Sequence, residues 1–252
     1  MTTQQILLGL GGGLPLIQAD AADFDGTNDY ALRGAGLTNA ADSKLMTFVM
    51  WQKADVVSTS YYVDTTDARF TVQKLDTSRF SVNGQNSVGT GILTMTSLAN
   101  VSTTAWQCWM CSVDMTSTLK RWIYLGDTDN FFSAATYTDD VIDFTVIDWA
   151  TGATTIGTSK FDGGLAEVML WTGVYTDFSV QANRRLFFSV TGKPVDPNTP
   201  GGAIATLGAP DIYFHLNDGE VANNFVANND GGDGGAFTVT GALSTYATSP
   251  SD

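Results

Sequence analysis

The sequence predicts an all-β protein built as a two-sheet sandwich, with one short helix, an apolar N-terminal arm and an extended C-terminal segment. Three observations support this prediction. Of the 26 acidic residues, only Glu167 and Glu220 are glutamates, and aspartate favours turns over helices. Short segments of alternating apolar and polar residues recur between turn signals. The 252 residues are also enough for one large β domain with a sizeable core.

The strand pattern is clearest over residues 68–83, on either side of the turn signal Asp76-Thr77-Ser78. Its alternation of period two predicts a hairpin with one solvated face, and the apolar positions are Phe70, Val72, Phe80 and Val82. Segments 46–52 and 106–113 are apolar on both faces, which predicts central strands covered on both sides. The remaining predicted strands are residues 119–127, 141–149, 154–157, 164–171, 211–216 and 236–241.

The hydrophobic period changes after residue 177. Phe178, Ala182 and Leu186 follow at helical spacing, which predicts one short helix over residues 178–189. We therefore divide the chain into three parts. They are an apolar arm (1–21), a sandwich (22–192), and a loop-rich C-terminal segment (193–252) with two short strands, packed on the sandwich.

The stretch "DFDGTNDYALRG" (23–34) is rich in residues that could form a metal loop or a tight turn. We interpret Asp25 to Asn28 as a turn in which side chains cap their own backbone and Gly26 takes a positive φ. Phe24 and Tyr30 on either side are expected to enter the core.

The charge balance excludes several classes of partner. The chain has 26 acidic residues and 12 Lys and Arg, which gives a net charge of −14. The Lys and Arg residues are scattered and form no basic stripe that could bind phosphates. We therefore expect no nucleic acid and no membrane among the partners. The apolar run near the N-terminus has no basic residue before it and is broken by Gly11-Gly12-Gly13. It therefore fits neither a secretory signal nor a membrane span, and synthesis in a host cytoplasm is expected.

Cys108 and Cys111 form a C-x-x-C pair that could suggest redox chemistry or half a zinc site. In a strand, however, positions i and i+3 point to opposite faces, so these thiols cannot bridge. No second cysteine pair exists, and His215 is the only histidine. We interpret both cysteines as buried, apolar side chains.

The order of these segments resembles the laminin G-like, concanavalin A-like jelly rolls of the lectin and glucanase superfamily, especially those of phage virion proteins. The matching segments, within about residues 22 to 190, are "FDGTNDYA" (24–31), "MTFVMWQK" (46–53), "WQCWMCSVDMTSTLKRWIYLGD" (106–127) and "IGTSKFDGGLAEVMLW" (156–171). The resemblance implies a jelly-roll sandwich. Some members hold calcium on the sandwich rim, and oxygen ligands are plentiful in loops 126–130 and 228–235, but neither loop has a calcium-binding spacing. We predict no cofactor and leave calcium unassigned.

An enzyme is one alternative, because the superfamily includes glucanases. The retaining members carry E-x-D-x-x-E on one strand, since the two carboxylates must lie about 5–5.5 Å apart. This chain lacks that motif, and Glu167 has no carboxylate at 165 or 169. We interpret Glu167 as a single solvated or hydrogen-bonded carboxylate and His215 as a packing residue. No catalytic residue is predicted, although an aspartate pair across two strands stays open.

A glycan-binding module is a second alternative. The six tryptophans all fall inside predicted strands, where core packing is the usual fate of a large ring. The loop aromatics Phe131, Phe132 and Tyr137 are therefore the candidates for an exposed sugar-binding surface.

The favoured hypothesis is a non-catalytic structural protein of a phage particle, either a capsid decoration or a tail-associated protein. The arm and the Gly-rich, Asn-rich tail are segments that commonly become ordered on a neighbouring subunit. The predicted partners are other virion subunits, including copies of the same chain, and a cell-surface glycan; the predicted location is the virion. Assembly would use the apolar side chains of the arm, which are Ile6, Leu7, Leu8, Leu10, Leu14, Leu16 and Ile17.

Overall fold

In a computed structural model the chain forms two antiparallel sheets packed face to face. The structure describes residues 14–56, 58–227 and 232–252, without the side chains of 132–135. Strands make up 41% of the described residues and helices 7%. The predicted all-β sandwich is therefore confirmed.

Sheet 1 contains eight strands of the described residues. They are β1 (Ala22–Asp25), β3 (Leu45–Ala54), β8 (Gln107–Asp114), β9 (Arg121–Leu125), β10 (Thr128–Asp129), β13 (Asp162–Thr172), β14 (Ile212–Phe214) and β16 (Ser244–Thr245). Their order is β10-β9-β8-β3-β13-β1-β16, with β14 also paired to β13.

Sheet 2 likewise contains eight strands within the described ranges. They are β2 (Tyr30–Arg33), β4 (Ser60–Thr65), β5 (Phe70–Lys74), β6 (Arg79–Gln85), β7 (Gly91–Asn100), β11 (Phe131–Tyr137), β12 (Trp149–Thr151) and β15 (Thr238–Thr240). Their order is β11-β7-β6-β5-β4-β12-β2-β15. The segment after residue 193 thus adds β14 and β16 to sheet 1 and β15 to sheet 2.

Two apolar cores follow from the alternation of side chains along the strands. The larger core lies between the sheets, where the rings of Trp109 and Phe80 stack with centroids 4.9 Å apart. The second core lies on the outer face of sheet 1, where the Phe187 ring packs edge to face against both Trp171 and Phe178. The central strands β3 and β8 are therefore buried on both faces, as segments 46–52 and 106–113 predicted.

The two cysteines confirm the opposite orientation expected of positions i and i+3. Cys108 lies in the outer core and Cys111 in the core between the sheets. Both thiols are free and buried, and burial raises the pKa of each well above its ordinary value.

The helices are shorter than predicted. Within the described residues they are α1 (Gln181–Arg184), α2 (Ala203–Leu207) and α3 (Asn224–Ala227). The predicted helix over 178–189 is therefore shorter than expected, and α2 and α3 were not predicted. The buried Arg184 guanidinium donates hydrogen bonds to the carbonyl oxygens of Phe178 and Ser179. Those carbonyl oxygens therefore accept hydrogen bonds from a side chain and not from the backbone amides of a longer helix.

Two predicted strands are wrong. Over 141–149 the backbone forms one isolated β-bridge, between Ile142 and Ser43, and enters a strand only at Trp149. The Phe144 amide donates to the Asp42 carboxylate (3.0 Å) and not to a neighbouring strand. Residues 154–157 form a turn, in which Gly157 has φ +71°. Both segments have the apolar residues typical of a strand, but residues 141–148 and 154–157 do not lie in a strand of either sheet.

The stretch 23–34 forms the predicted turn. Gly26 has φ +67°, and Oδ1 of Asp25 accepts hydrogen bonds from the amides of Thr27 (2.8 Å), Asn28 (2.9 Å) and Asp29 (3.2 Å). Burial acts to raise the pKa of the Asp25 carboxyl, but the three amide hydrogen bonds outweigh it and hold that pKa below its ordinary value. Phe24 is buried, whereas Tyr30 is only half-buried, which corrects the expectation that both rings enter the core.

The described end of the arm lies along the same chain. Leu16 pairs with Val195 in an isolated β-bridge, and its side chain is 55% exposed; Leu14 and Ile17 are half-buried. The other members of the predicted assembly surface, Ile6, Leu7, Leu8 and Leu10, lie outside the described residues. Assembly through the arm stays a prediction. No helix in the described part of the chain is long and apolar enough to cross a membrane.

Candidate functional site

A groove of about 280 Å³ lies on the outer face of sheet 2, across strands β4 to β7. We call it the sheet 2 groove. Its lining is polar but uncharged, and consists of Tyr61, Ala68, Thr71, Gln73, Asn83, Gly84, Gln85, Gly91, Leu93 and Thr94.

The strand register brings these side chains together. Tyr61 on β4 lies opposite Gln73 on β5, and Thr71 on β5 lies opposite Asn83 on β6, which in turn lies opposite Thr94 on β7. Since residues facing one another across antiparallel strands share a face of the sheet, one row of polar groups spans β4 and β5 and a second row spans β5 to β7.

Two small polar side chains on the outer face of sheet 2 are buried, one in the groove lining (Thr71) and one beside it (Ser81). Thr71 is 3% exposed and Ser81 is 1% exposed, so the prediction of a solvated outer face for the 68–83 hairpin is wrong at these two positions. Asn83 Nδ2 donates to Thr71 Oγ1 (3.0 Å), and Ser81 Oγ donates to the Met95 carbonyl (3.1 Å). The hydroxyl groups of Thr71 and Ser81 therefore have hydrogen-bond partners within the protein.

The walls of the groove carry polar atoms that the protein does not use. Within the described residues, the side chains of Tyr61, Gln73, Gln85 and Thr94 make no hydrogen bond. Partial burial, followed by the nearby Asp64 carboxylate, raises the pKa of Tyr61, so its hydroxyl stays a neutral donor. These groups are placed to exchange hydrogen bonds with a polar ligand.

The loop at one end of the groove is held by side-chain hydrogen bonds. Arg69 Nη1 donates to the Asn86 carbonyl (3.0 Å), and Asn86 Nδ2 donates to Asp140 Oδ2 (2.8 Å). The Asn86 carboxamide oxygen also accepts the Thr90 amide (2.9 Å). The groove therefore ends at a preformed turn.

The aromatics predicted as a sugar-binding surface lie on β11, at the edge of sheet 2. Phe131 and Tyr137 are half-buried, with the Arg121 guanidinium 5.3 Å and 4.6 Å from their ring centroids. The Tyr137 hydroxyl lies 2.6 Å from the Asp114 carbonyl oxygen, to which it can donate. The side chain of Phe132 lies outside the described residues. A glycan-binding role for these three aromatics stays a prediction.

A second half-exposed aromatic pair lies on the outer face of sheet 1. Trp106 and Tyr246 meet edge to face at 5.7 Å. Trp106 Nε1 donates to Thr248 Oγ1 (3.2 Å), and the Tyr246 hydroxyl is hydrogen-bonded to the Asp55 carboxylate. Both polar groups are engaged by the chain itself, so this pair fastens the C-terminal segment to the sheet.

Glu167 is buried and hydrogen-bonded, so of the two interpretations, a solvated or a hydrogen-bonded carboxylate, the second is confirmed. It is 1% exposed, has φ +50°, and lies in a β-bulge of β13. The Tyr213 hydroxyl donates to Glu167 Oε2 (2.9 Å), and His215 Nδ1 is hydrogen-bonded to Glu167 Oε1. His215 Nε2 lies 2.8 Å from Asn217 Oδ1. Glu167 and His215 thus form an enclosed polar network, which the sequence spacing did not reveal.

The acidic loop 126–130 is occupied by contacts within the protein. Asp127 pairs with Arg184 (3.1 Å) and with Arg185, and Asn130 Oδ1 accepts the Ala99 amide (3.0 Å). Across the described ranges, no group of three or more His, Cys, Asp or Glu side chains is arranged to hold a metal ion. Part of the other acidic loop, residues 228–231, is not described. Calcium stays unassigned.

Comparison with known proteins finds similarity only at the level of structure. No protein-family model matches the chain, and no curated protein matches it. A candidate carbohydrate-binding protein from Bacteroides ovatus is similar in structure with a TM-score of 0.63 and 17% identity, over 93% of this chain. This chain spans 62% of the length of that protein.

Two further solved structures are more distant. A heptameric SAP-like pentraxin from Limulus polyphemus has a TM-score of 0.49 and 11% identity, covering 66% of this chain and 81% of the pentraxin. The LG1–3 region of the laminin α2 chain has a TM-score of 0.47 and 16% identity, covering 64% of this chain and 33% of that region. The Bacteroides structure and the sheet topology show that this protein has the fold of a jelly-roll β-sandwich.

Proposed function

We propose that the protein is a non-catalytic glycan-binding module and that the sheet 2 groove is its binding site. The observation that carries the proposal is the set of unused polar groups on the groove walls, at Tyr61, Gln73, Gln85 and Thr94. Sugar hydroxyls both donate and accept hydrogen bonds, which carboxamide and hydroxyl side chains can match. The similarity to a candidate carbohydrate-binding protein supports the proposal through the fold alone.

The non-catalytic part of the proposal rests on the environment of Glu167. Glycoside hydrolysis needs two carboxyl groups on either side of the scissile bond. Glu167 is enclosed and hydrogen-bonded to Tyr213 and His215, and no carboxylate of the described residues lines the sheet 2 groove.

A glycan array followed by isothermal titration calorimetry tests the proposal. Gln73→Ala removes a wall group that makes no hydrogen bond within the described residues, so it should weaken glycan binding by roughly tenfold while leaving stability unchanged. Gln181→Ala on α1 is the matched control, because Gln181 is exposed and lies outside the groove. Equal glycan affinity in wild type and Gln73→Ala would argue against the groove.

The predicted aromatic surface on β11 provides the alternative site. It adjoins the groove, since Thr136 on β11 lies opposite Thr94 on β7. A loss of glycan binding in Phe132→Ala together with full binding in Gln73→Ala would favour β11 over the groove. The structural role in a phage particle stays a prediction, and glycan binding is compatible with it.

A further inference from the structure

We propose that the sheet 2 groove selects uncharged glycans and rejects anionic ones such as uronate or sialylated oligosaccharides. This inference rests on the proposed function and specifies the class of its ligand. As far as the structure describes the chain, the groove lining contains amide, hydroxyl, aromatic and aliphatic groups but no acidic or basic side chain.

A ligand carboxylate would find no countercharge in this groove. Removing a carboxylate from water without a paired cation is costly, whereas an arginine or lysine in the lining would offset that loss. An uncharged sugar gives up only hydroxyl hydrogen bonds, which Gln73, Gln85, Thr94 and Tyr61 can replace.

Arg69, next to the groove, is already engaged. Its guanidinium donates to the Asn86 carbonyl, and it lies 3.8 Å from the Asp143 carboxylate and 3.9 Å from that of Asp67. Two nearby carboxylates and a structural hydrogen bond leave this side chain poorly suited to bind an anionic ligand.

The net charge of the whole chain also disfavours anionic ligands. With a net charge of −14, the protein repels anionic polymers at long range, although salt screens this repulsion beyond about 10 Å. The local lining and the overall charge therefore both favour an uncharged ligand, and changing the charge at different positions separates the two effects.

Calorimetry on the full chain tests the inference with two sets of probes. The first contains neutral oligosaccharides of glucose, galactose, mannose and N-acetylglucosamine. The second contains oligogalacturonate and sialylated oligosaccharides. We expect binding of at least one neutral probe with an affinity that changes less than about threefold between about 50 and 500 mM NaCl. Acidic probes should bind at least about tenfold more weakly at both salt concentrations.

Two lysine variants locate the origin of the selectivity. Gln73→Lys places a cation in the groove, and we expect it to raise affinity for oligogalacturonate by about tenfold. Gln181→Lys makes the same change in net charge on α1, outside the groove, and should have no such effect. An equal gain in both variants would show that overall charge decides selectivity and would overturn the role of the lining.

The outcomes separate the inference from the proposed function. Binding of acidic probes as tight as that of neutral ones, and sensitive to Gln73→Ala, would overturn the selectivity while leaving glycan binding in the groove intact. Absence of binding to any probe in either set would overturn the proposed function as well. Neutral binding that Gln73→Ala leaves unchanged would overturn the assignment of selectivity to this groove.

Discussion

The stacked pair Trp109–Phe80 joins the two sheets, and its removal gives a quantitative test of the fold. Trp109 is fully buried on β8, and its ring lies parallel to that of Phe80 on β6, with an interplanar angle of 7°. Trp109→Ala should lower the free energy of unfolding by about 3–5 kcal/mol, because a large buried ring leaves a cavity that its neighbours fill poorly.

The hydrogen bond of the indole contributes little to this loss. Trp109 Nε1 donates to Gln107 Oε1 at 3.3 Å, but the same oxygen also accepts from Gln52 Nε2 (2.8 Å) and from the Ser102 amide (2.7 Å). The Gln107 oxygen therefore keeps two donors in the variant, and the expected loss comes from the cavity and the lost ring contact.

Urea denaturation followed by far-ultraviolet circular dichroism measures the change. Trp122→Ala is the control, since Trp122 is only half-buried on β9, and we expect it to lose less than half as much free energy. A loss below about 1 kcal/mol in Trp109→Ala would refute the reasoning, because the ring could then not fill a closely packed core.

Four further predictions follow from other buried groups and from the arm. Lys74 is 1% exposed, and burial lowers its pKa from the ordinary 10.5 to about 8 against the opposing effect of Asp162. The folded state therefore binds fewer protons than the unfolded state between those pH values, so stability rises with pH there. In urea titrations Lys74→Met should abolish that rise and increase the free energy of unfolding at pH 7 by about 1–2 kcal/mol. An unchanged dependence of stability on pH in this variant would contradict a buried charge at Lys74. Cys108 and Cys111 should react with a maleimide only after unfolding, and fast labelling of the native protein would disprove their burial. Glu167→Gln should destabilise the protein without affecting glycan affinity, because it weakens the enclosed hydrogen bonds to Tyr213 and His215. Thermal melting measures the stability and calorimetry the affinity. A hydrolytic activity of the wild type that is lost in this variant would instead show that Glu167 is catalytic. Deleting residues 2–18 should leave both sheets folded but prevent association in analytical ultracentrifugation, whereas a deletion variant that still associates would place the docking surface elsewhere.

Side-chain alternation determined much of the fold before any tertiary contact was known. Cys108 and Cys111 lie on opposite faces of β8, and the apolar positions of β5 and β6 face the core, because a strand turns successive residues to opposite sides wherever it lies. The turn at Asp25 and Gly26 was equally predictable, since its hydrogen bonds join residues at most four positions apart.

Local pattern failed where a segment's hydrogen-bonding partner was distant in sequence. Phe144 has the apolar character of a strand residue, but its amide donates to Asp42, 102 positions away. From the sequence, Lys74 looks like an exposed polar residue near the hairpin turn. The strand register instead places it opposite Ser60, where its side chain is buried. Neither environment is visible within a window of neighbouring residues.

The sequence by itself determined an acidic, all-β sandwich with two apolar faces on its central strands, because composition and period two act locally. Only the tertiary structure decided which polar residues share a surface. The sheet 2 groove joins Tyr61, Gln73, Asn83 and Thr94 from four strands, and the Glu167 network reaches across to His215, 48 positions away. Strand order and register set both juxtapositions, and these depend on how the whole chain packs.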